Sequence, residues 1–170
     1  DLETIEESPR RMVLAAADDE CELLARRFKQ NAIRKLKADL ILAWLEPGMI
    51  LSVSGNLVAE VEQTCVLSLE PVDAVLDEEI NLVYARDIEK TNDLVGSEEA
   101  EPLEGDKIDL GELIAEELSL ALDPYPRRPD IDPASIDLGP GASLISEEEA
   151  EKGLDKVKPF DVLASLRPKR

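Results

Sequence analysis

The sequence predicts an α+β protein. Its sheet is an antiparallel meander of about four strands, flat or curled into a partly open barrel, packed with a few helices. A proline-rich extended C-terminal tail follows. Three observations predict this. Apolar residues recur at every second position in segments joined by short turns, two further segments carry helical spacing, and eight of the eleven prolines lie at or beyond Pro102. Boundaries are expected at 1–125 for the α+β domain and 126–170 for a proline-rich, acidic and partly ordered extension.

The first helix is expected over residues 18–29. Its acids (Asp18, Asp19, Glu20) come first and its bases (Arg26, Arg27) last, which suits the helix dipole, with Asp18 or Asp19 as cap. Cys21, Leu24, Ala25 and Phe28 share one face. Strand alternation follows at Leu36, Ala38, Leu40, Leu42 and Trp44. Glu46-Pro47-Gly48-Met49 is a type II turn, with Pro and Gly in the positions that turn requires. Ile50–Ser54 resumes as strand and Gly55-Asn56 reads as a second turn.

The clearest strand is Leu57 to Leu69, with Ala59, Val61, Gln63, Cys65, Leu67 and Leu69 on one face and Pro71 at its end. The face bearing Ala59, Val61, Cys65, Leu67 and Leu69 is expected to pack on the second helix. Ile80, Leu82 and Tyr84 mark a further strand after a turn near Asp77. Residues 85–107 are acidic and aperiodic, which reads as a long mobile loop. Asp109-Leu110-Gly111-Glu112 fits a capping box, and Leu110, Leu113, Ile114, Leu118, Ala121 and Leu122 give the second helix, 109–122, its apolar face. Pro124, Pro126 and Pro129 then break regular structure. Ser146–Gly153 has the composition of a short acidic helix, and Pro159–Leu166 forms a last apolar patch.

Composition narrows the chemistry. Hydrophobic residues make up 44% of the 170, enough for a core, yet aromatics are only 3%, so Leu, Val, Ile and Ala must build it. The absence of His rules out Ser-His-Asp and Cys-His catalysis within the chain and removes the commonest metal ligand. Paired carboxylates are frequent only because the chain is acidic, and no aromatic platform for a sugar accompanies them. No phosphate loop, dinucleotide fingerprint or nucleophile elbow occurs. Gly139-Pro140-Gly141 is a turn, and Asp130, Asp132 and Asp137 lack calcium-loop spacing. Two thiols cannot close a structural zinc site. Cys65 has no basic residue within twenty positions and reads as a core residue, as does Cys21 on its helix face. No enzyme activity, cofactor or metal is expected.

The longest apolar runs, Leu40–Leu45 and Met12–Ala17, fall far short of the roughly 20 residues that span a bilayer. A soluble cytoplasmic chain with reduced thiols and no membrane partner is therefore expected. An opening Asp1 in place of Met leaves room for a few residues, or a targeting segment, ahead of the numbering.

The net charge is −20 and its distribution is uneven: residues 61–130 hold 20 acidic and 5 basic side chains. Such a field disfavours a large phosphate footprint and favours basic partners. Glu98, Glu99, Glu101, Glu104, Glu112 and Glu116 offer a surface to which a basic protein could be steered, the alternative being a solvated loop and helix face. Arg26, Arg27, Lys29, Arg34, Lys35 and Lys37 form a basic patch that could contact RNA phosphate, and Arg167-Pro168-Lys169-Arg170 a second, the alternative being ordinary surface charge.

Four stretches resemble the YceD family, the large ribosomal RNA subunit accumulation proteins. They are Ala25–Phe28, Val53–Ala59, Gln63–Val72 and Ile108–Pro124. The third, with Pro159–Leu166, is similar in particular to the alphaproteobacterial branch. Many members carry C-x-x-C where Cys65-Val66-Leu67-Ser68 stands here, and a further Cys where Arg127-Arg128-Pro129-Asp130 has none, so no metal or redox role carries over. The resemblance implies a part in synthesis, processing or stability of large-subunit ribosomal RNA and supplies no catalytic residue. The expected partner is a basic ribosomal protein or ribosome assembly factor held on the acidic surface; direct ribosomal RNA contact through residues 26–37 is the alternative.

Overall fold

The computed structural model describes residues 8–88 and 100–131 together with Leu2, Ile5 and Gly139. The chain divides into two units, Asp1–Arg127 and Arg128–Arg170, and every element below belongs to the first. In chain order these are β1 (Arg10–Ala15), α1 (Asp18–Phe28), β2 (Ala32–Glu46), β3 (Ile50–Thr64), β4 (Pro71–Ala85), β5 (Glu101–Pro102) and α2 (Leu110–Ala121). The strands form one open sheet in the order β1-β2-β3-β4-β5. Its first four strands are antiparallel neighbours, while β5 pairs in parallel with the end of β4. The α+β class holds; β5 makes the sheet mixed rather than purely antiparallel, and β1 and β5 stand at opposite edges instead of closing a barrel.

Each helix is set by local chemistry. Ala17 rather than an aspartate precedes α1, and the Glu20 carboxylate accepts from the Ala17 N–H at 2.8 Å. Asp18 and Asp19 sit in the first turn, where the dipole favours them. Lys29 adopts the left-handed conformation (φ 57°), and the Gln30 N–H returns to the Ala25 carbonyl at 2.9 Å, ending the helix. Asp109 caps α2, its Oδ1 accepting from the N–H groups of Gly111 and Glu112, each at 3.0 Å.

The strands are longer than alternation alone suggests. β2 starts at Ala32, and Arg34 is an extra residue between the Ile33–Val61 and Lys35–Glu60 pairs. That bulge breaks the period of two and lets both Ile33 and Leu36 reach the core. The turn at Pro47-Gly48 forms as expected, with Gly48 at φ +69° and Met49 N–H donating to Glu46 O at 3.0 Å.

The turn expected at Gly55-Asn56 does not exist. Ile50–Thr64 is one strand, and Gly55 lies opposite Leu40 where the two backbones touch. A Cβ built there would come within 2.1 Å of the Asp39 carbonyl oxygen. Nor does the strand reach Leu69. It ends at Thr64, and Cys65 to Glu70 turn back on themselves through Cys65 N–H to Glu70 O and Leu69 N–H to Cys65 O, both 2.9 Å. Leu69 has φ +62° and is 78% exposed, so the alternation through Leu67 and Leu69 is that of a turn.

Pro71 begins β4, which runs through Asp77 without a break. Residues 85–107 are not one loop: Ala85 closes β4 and Glu101-Pro102 form β5, a strand too short to carry a period. β1 appeared in the sequence only as part of an apolar run; Met12 and Leu14 turn inward while Val13 is exposed.

Both helices lie on one face of the sheet. Cys21 and Ala25 from α1 and Leu113, Ile114 and Leu118 from α2 join Leu36, Leu40, Val53, Leu57, Ala59 and Val61 in a single core. Ala59 and Val61 thus contribute to the expected helix-covered face; Cys65 is buried just beyond the strand. Leu40, Leu51, Leu57 and Leu118 are wholly removed from solvent, each contributing about 1.5–3 kcal/mol of burial. The N-terminal segment adds Leu2 and Ile5 to this core, with Trp44 Nε1 donating to Ile5 O at 3.1 Å. Residues 146–153 and 159–166, the expected acidic helix and apolar patch, lie outside the described residues, as do nearly all of 126–170.

Candidate functional site

The meeting of β4, β5 and the first turns of α2 forms a depression of about 290 Å³ lined by Tyr84, Glu101, Glu104, Lys107, Glu112, Leu113 and Glu116, among others. Parallel pairing sets Glu101 beside Tyr84. The helical repeat places Glu112 and Glu116 on one side of α2, four residues apart. Glu101, Glu104, Glu112 and Glu116 are all exposed. Four of the six acidic residues singled out in the sequence therefore surround one hollow; Glu98 and Glu99 lie outside the described residues.

Two further groups belong to this surface. Burial pushes the Glu117 carboxyl above its usual range, and the charges of Glu101 and Glu116 add to the shift. Burial likewise raises the Tyr84 phenol, followed by the charge of Glu101 and a hydrogen bond to it. Crowded carboxylates thus oppose one another here, with only Lys107 among the lining residues to offset them.

Glu112 is the exception among them. Arg27 on α1 reaches it with both guanidinium arms, Nη1 donating to Oε2 at 2.8 Å and Nη2 to Oε1. The guanidinium holds the Glu112 carboxyl below the usual glutamate value. Because that carboxylate is taken, it is Asp109 alone that supplies the side-chain cap of α2. Arg27 also stacks over Phe28, 5.4 Å from the ring centre. Arg27 and Glu112 in turn line a second hollow, of about 370 Å³, floored by Leu14, Leu24, Leu36, Ile114 and Ala115 between the two helices and the sheet.

The basic patch is not brought to one face. Leu36 and Ala38 point into the core, so Lys35 and Lys37 point to the opposite side of the sheet from α1. There Lys35 pairs with Glu60 at 2.9 Å, and Arg34 binds Asp73 at 2.5 Å and also Glu62. Arg11 and Asp39 make a similar bidentate pair, which lowers the Asp39 carboxyl. On α1, Arg26 lies 3.9 Å from Glu22. Lys29 and Lys37 are exposed. Arg167, Lys169 and Arg170 lie outside the described residues.

Sequence reasoning gave no special place to Gln63, the one buried polar side chain among the described residues, at 3% exposure. Its amide donates to the Asp123 carbonyl at 3.0 Å and to Gln30 Oε1 at 3.3 Å, tying the end of β3 to the segments that leave α1 and α2. A polar residue on the inward face of an otherwise apolar strand was the available signal. The proline-rich segment begins by docking, Val66 N–H donating to Pro126 O at 2.8 Å.

Cys21 and Cys65 are both buried, and burial followed by the charges of Asp18, Glu20 and Asp19 raises the Cys21 thiol, which makes it a poor nucleophile. Among the described residues no group of three or more Cys, Asp or Glu side chains is placed to hold a metal ion, and no helix is long and apolar enough to cross a membrane.

Fold and site together define a two-layer α+β protein that carries a carboxylate-rimmed hollow on its surface. Residues 53–167 match the family described as large ribosomal RNA subunit accumulation protein YceD, and the chain belongs to that family. Membership gives it a role in large-subunit ribosomal RNA accumulation, a part of ribosome biogenesis. The match takes in three of the four resembling stretches, and Ala25–Phe28 precedes it. Comparison with curated proteins and with solved structures gave no match in either case.

Proposed function

We propose that this chain is a non-enzymatic cytoplasmic factor that supports synthesis, processing or stability of large-subunit ribosomal RNA by holding a basic ribosomal protein or assembly factor on its acidic surface. The observation that supports this reading is the convergence of Glu101 on β5, Glu104 just after it, and Glu112 and Glu116 on α2 around one hollow beside Glu117. Exposed carboxylates at that density attract a basic protein and repel phosphate. The competing reading, direct RNA contact through residues 26–37, is less well supported, since Arg27, Arg34 and Lys35 are already held by carboxylates.

The test is affinity purification of the tagged protein from its own cells at low salt, divided into RNase-treated and untreated halves. A basic large-subunit protein or assembly factor is expected to stay bound after RNase. It should be lost from a variant carrying Glu101→Lys, Glu104→Lys and Glu116→Lys, with Glu112 left in place to preserve its pair with Arg27. Loss of every partner with the RNA, or retention by the charge-reversed variant, would overturn the reading.

A further inference from the structure

β5 covers only the end of β4, pairing at Tyr84 and Ala85. The Ala85 carbonyl accepts from Leu103 N–H at 2.8 Å, so the backbone groups of Ala85 point to that edge of the sheet. Within a strand every second residue directs its N–H and C=O the same way. The β3–β4 register runs unbroken from Ile50–Ala85 to Thr64–Pro71. Asp73, Val75, Asp77, Glu79 and Asn81 therefore direct their backbone groups to the same edge as Ala85. Both ends of β4 agree on this parity: Arg86 N–H donates to Met49 O and Glu70 O accepts from Cys65 N–H, both toward β3. All five residues are exposed, and among the described residues no strand pairs with this stretch.

We infer that the β4 edge from Asp73 to Asn81 receives an extended basic polypeptide segment as an added strand, continuing the edge that β5 begins. The inference rests on the basic-partner reading above and adds to the hollow a second contact, the neighbouring strand edge, with the conformation in which a segment of that partner binds it. A row of main-chain donors and acceptors is read by another main chain, with neighbouring side chains choosing its sequence. Here those side chains are Asp73, Asp77, Glu78 and Glu79, with Val75, 73% exposed, as an apolar contact between them. Asp73 and Asp77 are engaged with Arg34 and Asn56, whereas Glu78 and Glu79 have no ion-pair partner among the described residues. A second copy would set carboxylates against carboxylates across the new ladder, which is repulsive, and RNA would bring phosphates to them. A strand rich in Lys or Arg meets both the backbone row and the charge.

The experiment uses the full chain and a short synthetic peptide alternating Lys with Val or Thr. Its controls are the same peptide N-methylated on either set of alternate amides, a helical basic peptide of equal charge, and an oligouridine RNA. Amide hydrogen exchange is followed residue by residue. The extended peptide is expected to slow exchange at the Asp73, Val75, Asp77, Glu79 and Asn81 amides, and methylation of one set to weaken binding by about tenfold or more. Glu79→Lys, an exposed change that leaves the mapped ion pairs alone, should weaken it similarly. If methylated, helical and extended peptides bind equally, or protection falls elsewhere, the edge is not the site although a basic partner is still accepted. If RNA binds and no peptide does, or nothing binds, both the inference and the reading beneath it fail.

Discussion

Arg27 on α1 and Glu112 on α2 are 85 positions apart in sequence and form a two-armed ion pair on the protein surface. Each came from a segment with an opposite expected use, one from the basic patch and one from the acidic surface. Their pairing latches the two helices together over a hollow floored by apolar side chains, and it withdraws both from simple competition for a partner.

The latch sets a pH dependence. Arg27 lowers the Glu112 carboxyl, so its contribution to stability is fully present above the ordinary glutamate value of 4.5 and is lost as pH falls through the lower folded value. Glu112→Gln should lower the urea midpoint at pH 7 modestly, by less at high salt because the pair is half-exposed. The difference from the parent should disappear in strong acid. Unfolding curves across that range measure it.

Glu117 should behave in the opposite sense. Its folded carboxyl lies above the ordinary value, so stability present below 4.5 is lost as pH rises through the raised folded value. Glu117→Gln is expected to raise the urea midpoint at pH 7 and to have little effect below pH 4, where both forms are neutral. A midpoint that falls at neutral pH would show that the carboxylate has a favourable partner.

Gly55→Ala should destabilise by about 1–3 kcal/mol or more, since the new methyl meets the Asp39 backbone and a strand must shift. Gly48→Ala supplies the comparison. At φ +69° with no atom within 4 Å of a built Cβ, it carries only the conformational cost of about 1–2 kcal/mol. Amide exchange should report loosening along the β2–β3 ladder for the first variant and not for the second.

Gln63→Ala should cost about 1–3 kcal/mol, because it empties a buried position and removes the hydrogen bonds to the Asp123 carbonyl and the Gln30 side chain. The loss should appear first as faster exchange at Asn31, whose side chain also donates to the Gln63 carbonyl, and in the Leu122–Pro126 segment. Uniform loosening of the whole sheet would argue that the residue merely fills space.

Local chemistry accounts for what was legible in the sequence. The span of α1 follows from its ordered charges and apolar face, α2 from Asp109 and its leucines, and the first hairpin from Pro47-Gly48, all interactions among residues a few positions apart. The acidic hollow was legible in part: Glu101, Glu104, Glu112 and Glu116 were evident as charge, but their convergence depends on β5 pairing with β4. Gly55 shows the limit most clearly. As a dipeptide Gly55-Asn56 reads as a turn, yet the glycine is there for the backbone of Leu40, a neighbour that exists only once β2 and β3 are paired.

The sequence alone thus determined the α+β class, the two helices named here, the family and the acidity, because each depends on residue type and short-range spacing. Only the tertiary structure decided how the charges are used. It placed Arg34 and Lys35 against carboxylates on the open face of the sheet and Arg27 against Glu112. Among the described residues it also leaves Asp73 to Asn81 as an acidic strand edge. Coulomb energy falls with distance and is screened by solvent, so a charge acquires its role from its spatial neighbours, and those are set by strand register and helix packing.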